Sequence, residues 1–275
     1  MTKKQIVKDW LVRYTGLELD KFGDYILLTN FKKYVEMFAQ KENCAIYGED
    51  KPMQVATSQD GISIINFGIG SPNAALIMDL LTAIMPKAVL FLGKTGSLKK
   101  KIKVGDLILP IAAIRDEGTS NDYADSKVPA LPSFQMLRSV SEVIMRHKQD
   151  YFTGIVYTTN RRVWEHDEVF KKHLKQVRAT CIDMETATLF LTGFMNEIPR
   201  GALLLVSDEP MTPEGIKTSE SDKKVSANFL DMHLNIGIES LREVKNLGAS
   251  LKHLYFDRDF DKEEEVDDVE FDAEL

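Results

Sequence analysis

Four short runs in this chain are apolar almost from end to end: Gly61–Phe67, Ala88–Leu92, Asp106–Ile114 and Gly201–Ser207. A strand with one wet face alternates polar and apolar residues. Runs like these belong to strands covered on both faces. None reaches the roughly 20 residues that a membrane-spanning helix needs, so no membrane partner is expected. Helix-like stretches separate them, at Thr2–Tyr14, Phe31–Gln40, Pro72–Ile84, Ser133–His147, Glu165–Gln176 and Asp222–Leu247. Further strands are expected at Asp24–Thr29 and Thr153–Thr158. This alternation predicts α/β layers around one mixed sheet.

Charge divides the chain unevenly. The 275 residues carry a formal net charge of -7, yet Asp257–Leu275 alone holds eleven acids and two bases. The remaining body is slightly basic and suits an anionic small molecule at least as well as a neutral one. We read 1–256 as one catalytic domain and 257–275 as an acidic, solvated tail. Two cysteines, Cys44 and Cys181, make neither a disulfide framework nor a metal cluster, and fit a reduced cytoplasm. The five histidines show no metal-ligand spacing. No metal or other cofactor is expected, and no basic stripe with interleaved aromatics points to nucleic acid.

Chemistry concentrates where apolar runs end. Asp183 and Glu185 flank Met184 between a short strand-like run and the helix-like run Ala187–Phe194. Asp208 closes the run that begins at Gly201. Ligands of open α/β sheets bind beyond the carboxyl ends of strands, so both ends are expected to line one crevice. Two carboxylates there suit a reaction in which positive charge develops while a leaving group takes a proton. Two glycine-rich stretches also follow strands. Gly68-Ile69-Gly70 precedes a helix opened by Pro72, and we read Gly93-Lys94-Thr95-Gly96-Ser97 as a second strand-end turn. Neither completes a dinucleotide or P-loop fingerprint. Their glycines would let backbone approach a ligand, and a helix N-terminus favours an anion.

Taken in order, Gly68–Pro72, Gly93–Gly96, Asp183–Ala187 and Val206–Asp208 resemble the purine nucleoside phosphorylase and nucleosidase superfamily. The resemblance runs from about Tyr25 to the closing helix. It implies a three-layer αβα sandwich that cleaves an N-glycosidic bond. Asp208 matches the acid that meets purine N7, Glu185 the residue on the ribose hydroxyls, and Met184 the side chain packed against the sugar. The stretches Tyr25–Val35, Thr158–Glu165, Ala187–Thr188 and Leu205–Pro210 favour the branch that hydrolyses AMP to adenine and ribose 5-phosphate. A phosphorylase or nucleosidase acting on unphosphorylated nucleosides is the alternative. Phosphorylases carry a phosphate-binding arginine where this chain has Phe91, and another in the loop that here reads Thr29–Lys33. Without those guanidiniums bidentate phosphate recognition is lost, and water is the expected nucleophile unless Lys32 or Lys33 compensates.

A nucleotide substrate also needs cations for its 5′-phosphate. Lys94, Arg115, Arg161 and Arg162 are the candidates, with Thr119 and Ser120 as hydroxyl donors, and each cation alone is as well read as a solvated surface charge. Gly70, Thr95 and Gly96 are expected at the substrate. Trp164 either stacks on the purine or packs the following helix. The longer bacterial members of this branch resemble the chain only over their C-terminal catalytic region. The resemblance further implies self-association, as a homohexamer.

Overall fold

The structure is a computed structural model and describes residues 1–248. The acidic stretch 257–275 lies outside the described residues. Among the described residues nine strands form one mixed sheet: β1 (Tyr25–Thr29), β2 (Ile46–Tyr47), β3 (Gln54–Thr57), β4 (Ile62–Asn66), β5 (Ala88–Ser97), β6 (Leu107–Asp116), β7 (Tyr151–Thr159), β8 (Cys181–Asp183) and β9 (Arg200–Asp208). Their order is β2-β3-β4-β1-β5-β8-β7-β6-β9. The α-helices that cover it, among the described residues, are α1 (Lys3–Thr15), α2 (Lys32–Glu42), α3 (Ser71–Leu81), α4 (Phe134–Arg146), α5 (Glu168–Gln176), α6 (Thr186–Met195) and α7 (Ser219–Leu247).

Successive strand residues face opposite sides, and β1 shows the result. Ile26 and Leu28 join one core with α1, α3 and α6, while Tyr25 and Leu27 join another with α2, α4 and α7. Both faces are dry along β1, β4, β5 and β9, as continuous apolar runs require, whereas β6 is dry only over its first four residues and exposes Ile111. The hairpin of β2 and β3 is short and partly polar, and its sequence carries no comparable signal. Among the described residues no helix is long and apolar enough to cross a membrane.

One feature of the sheet departs from expectation. Gly93–Ser97 is not a turn but the second half of the ten-residue β5. Along one edge β5 pairs with β9 from Val89 to Gly96. The other edge meets β1 up to Leu92, then β8 at Gly96 and Ser97. Because β9 also pairs with β6, strands β5, β8, β7, β6 and β9 close into a ring. Gly96 is small for packing and not for a turn. A Cβ there would meet Pro210 Cγ at 2.9 Å and Asp208 Oδ2 at 3.2 Å.

A buried polar contact ties α7 to the sheet. His233 Nε2 lies 2.9 Å from the Leu203 carbonyl, which can only accept, so Nε2 carries the hydrogen. Nδ1 then accepts from the Tyr34 hydroxyl of α2 at 2.6 Å. Burial depresses the His233 pKa to about 4, below the usual 6.5, so the ring is neutral in the fold. The unfolded chain binds the extra proton between those values. Stability contributed by the neutral ring is present above pH 6.5 and lost as pH falls toward 4, by roughly 3 kcal/mol. Denaturant unfolding at pH 7 and pH 4 should show the native chain losing about that much more than a His233→Gln variant.

Candidate active site

The corner between β8 and α6 is built around Asp183. Its Oδ1 accepts from Thr158 Oγ1 at 2.7 Å. Its Oδ2 accepts from the Thr186 amide at 2.9 Å and from the Thr186 hydroxyl. Thr158 Oγ1 in turn accepts from the Ala187 amide at 3.0 Å. A buried carboxylate needs such partners. Here they lock the first turn of α6 onto β7 and set the direction of the carboxylate two residues on.

That carboxylate, Glu185, reaches across to α3. Oε1 accepts from the Gly70 amide at 2.8 Å, Oε2 from the Met184 amide at 3.3 Å, and the Asn30 side chain adds a third hydrogen bond. Ser71 Oγ donates to the Met184 carbonyl at 2.9 Å. Gly70 has φ of 94°, a region that disfavours side chains, and it caps α3. The helix N-terminus expected to attract an anion therefore already holds one, and that anion is Glu185. Gly70 is accordingly placed as a support for Glu185 and does not face the pocket. Burial first, and the Asp183 charge second, push the Glu185 pKa up to about 7. Burial raises Asp183 as well.

Asp208 stands at the end of β9. Its Oδ1 accepts from Ser207 Oγ at 2.5 Å, and Ser207 Oγ accepts from Lys217 Nζ at 3.3 Å. Burial raises the Asp208 pKa above the usual carboxylate range, against that hydrogen bond and the charges of Lys217 and Arg162. Asp208, Met184 and Glu185 line one pocket of about 390 Å³, with Thr95 and Gly96 of β5. Two strand ends thus meet at one cavity, as the strand-end argument predicts.

The cations divide into those inside and those outside. Arg115 is outside, which corrects the expectation that it faces a ligand. Its guanidinium donates to Ser120, Asn121, Ala124, Asp125 and Val128 at 2.6–3.1 Å, so it folds the loop after β6 around itself. Ser120 is buried in that loop, and neither it nor Thr119 lines the pocket. Lys94, Arg161 and Arg162 do line it, and so does Lys217. Arg161 pairs with Asp167 at 2.9 Å and Arg162 with Glu165 at 3.2 Å, both on exposed loop positions. Lys94 is buried on Asp222 at 2.8 Å. Trp164 packs edge-on against Phe170 of the following helix, with centroids 5.5 Å apart, and also borders the pocket.

Phe91 lies in the core against Phe67, centroids 5.8 Å apart. Lys33 pairs with Glu36 on the surface, and neither Lys32 nor Lys33 lines the pocket. Sequence reasoning missed Asn30, Phe31, Lys217 and Asp222 as lining residues. Asn30 and Phe31 directly follow β1, so the strand-end rule could have found them. Lys217, just ahead of α7, and Asp222, in its first turn, sit in no motif.

Comparison with known proteins agrees with this geometry. Residues 24–240 match the family model described as the phosphorylase superfamily. The AMP nucleosidase of Escherichia coli (strain K12) is 27% identical over 88% of this chain, which spans only 59% of that protein's length. The crystal structure of AMP nucleosidase from Bacteroides thetaiotaomicron superposes with a TM-score of 0.80 at 51% identity, covering 89% of this chain and 98% of that one. Uridine phosphorylase from Vibrio fischeri, at 22% identity and a TM-score of 0.74, covers 82% of this chain and 95% of its own and shares the fold. Helices on both faces of a mixed sheet, two carboxylates at one pocket and the family match over residues 24–240 converge: this chain belongs to the phosphorylase superfamily.

Proposed function

We propose that the protein hydrolyses the N-glycosidic bond of AMP to adenine and ribose 5-phosphate. The observation that carries the reading is the pair Asp208, half-buried, and Glu185, buried, both raised in pKa and both lining one pocket. A protonated Asp208 donates to purine N7 as the C1′–N9 bond breaks, and the purine leaves neutral. Glu185, as the anion, faces the sugar and stabilises the positive charge that grows at C1′. Water supplies the oxygen that bonds to C1′, and its spare proton is released. The placing of Phe91 in the core and of Lys32 and Lys33 outside the pocket supports water over phosphate as nucleophile. With Arg115 engaged by its own loop, Arg161 and Arg162 become the cations offered to the 5′-phosphate. The reading extends to a closed homohexamer in the cytoplasm, the setting implied by the resemblance.

Adenine release measured from AMP and from adenosine, each with and without inorganic phosphate, tests it. Release from AMP that needs no phosphate is the expected result. Release from adenosine that requires phosphate and forms ribose 1-phosphate would make the protein a nucleoside phosphorylase.

A further inference from the structure

A single oxygen, Asp222 Oδ1, bridges two ammonium groups in the pocket. Lys94 Nζ lies 2.8 Å from it and Lys217 Nζ 3.0 Å. Lys94 also donates to Ser226 Oγ at 3.0 Å. The ring of Phe31 caps the group, 4.7 Å from Lys94 Nζ and 5.8 Å from Lys217 Nζ. The Lys94 side chain is only 3% exposed, while Asp222 is 36% exposed on the first turn of α7. Two cations with one anion leave a net positive charge. One oxygen between two ammoniums, with a hydroxyl beside it, is also how a phosphoryl oxygen is held.

We propose that Lys94 and Lys217 form an oxyanion site for a phosphoryl group, and that Asp222 keeps this site closed by occupying it. The site deepens the hydrolytic reading, on which it rests for its meaning: a resident carboxylate denies inorganic phosphate a place beside the sugar. Asp222 is suited to that task because both lysines pair with it in preference to solvent. Burial works against its charge, and the hydrogen bonds from Lys94 and Lys217 outweigh burial and hold its pKa low. A neutral side chain in its place leaves two cations facing a cavity, one of them nearly without solvent. A buried charge without a partner is unfavourable, and an entering phosphate would relieve it.

The test is calorimetric titration of inorganic phosphate into the native protein and into Asp222→Asn and Asp222→Ala. Both variants should bind phosphate at least tenfold more tightly than the native chain. Adding Lys94→Met to Asp222→Asn should abolish the gain. No gain in either folded variant, or a gain that survives Lys94→Met, overturns the proposal. The KM for AMP separates two sources of the oxyanion. A parallel fall in KM means that the substrate's own phosphate also enters the site, and an unchanged KM means that only the free ion does; either supports the site. The titration contains no nucleotide, so its failure leaves AMP hydrolysis standing, and failure of adenine release leaves the titration interpretable.

Discussion

With Asp208 replaced by asparagine, adenine release from AMP slows by about 10²–10⁴-fold, the range of a positioned general acid, while KM moves little. Asparagine keeps the shape and can still accept the Ser207 hydroxyl now 2.5 Å from Oδ1. What it cannot do is give up a proton. The lost interaction strengthens only as the purine departs, so the loss falls on kcat and on kcat/KM alike. Steady-state kinetics on AMP check this. A raised KM at unchanged kcat would reduce Asp208 to a binding group. The sign with pH follows from the role. An acid must hold its proton, so activity falls as pH rises through the Asp208 pKa, which burial has lifted above the ordinary range. That alkaline limb should vanish in the variant.

Glu185→Gln produces the second large effect, and its sign is opposite. Glu185 works as an anion, and its charge is lost as pH falls through about 7. The profile of kcat/KM, which reports groups of the free enzyme, should therefore show an acid limb centred near 7. In the variant that limb disappears and the plateau drops on the order of 10²-fold, the scale of one electrostatic contact to developing charge. The amide presents hydrogens toward the Met184 N–H, which now donates to Oε2 at 3.3 Å, so melting temperature should be followed beside rate. An acid limb that persists unchanged in Glu185→Gln would assign it to another group, with Asp183 the nearest alternative.

Much of this molecule is legible in its sequence, for reasons that differ by region. Strands β1, β4, β5 and β9 are recognisable because both faces are buried and their central residues are almost all apolar. The carboxyl end of β9, and the end of the short run β8 before α6, then point to Asp208 and Glu185 as neighbours. The stretch Gly93–Ser97 misleads because glycine serves two purposes. Here it makes room for Pro210 and Asp208, whereas turns use glycine for its backbone freedom. Arg115 misleads in a related way. A cation after a strand looks like a ligand hand until its loop is seen folded around it, and five loop residues over thirteen positions give no periodic signal. Lys217 and Asp222 are invisible to any local rule. They reach the pocket because α7 begins beside β5, a placement set by packing along the whole helix.

The cradle around Glu185 has a consequence for the entropy of binding. A glutamate free in solution samples many rotamers, and fixing one costs roughly 1.5–2 kcal/mol. Here the Gly70 amide, the Met184 amide and the Asn30 side chain immobilise the carboxylate before any sugar arrives. That loss is incurred once, during folding, and is not repeated at each turnover. Ribose meets a group with no disorder left to surrender, and more of the contact energy remains for the transition state.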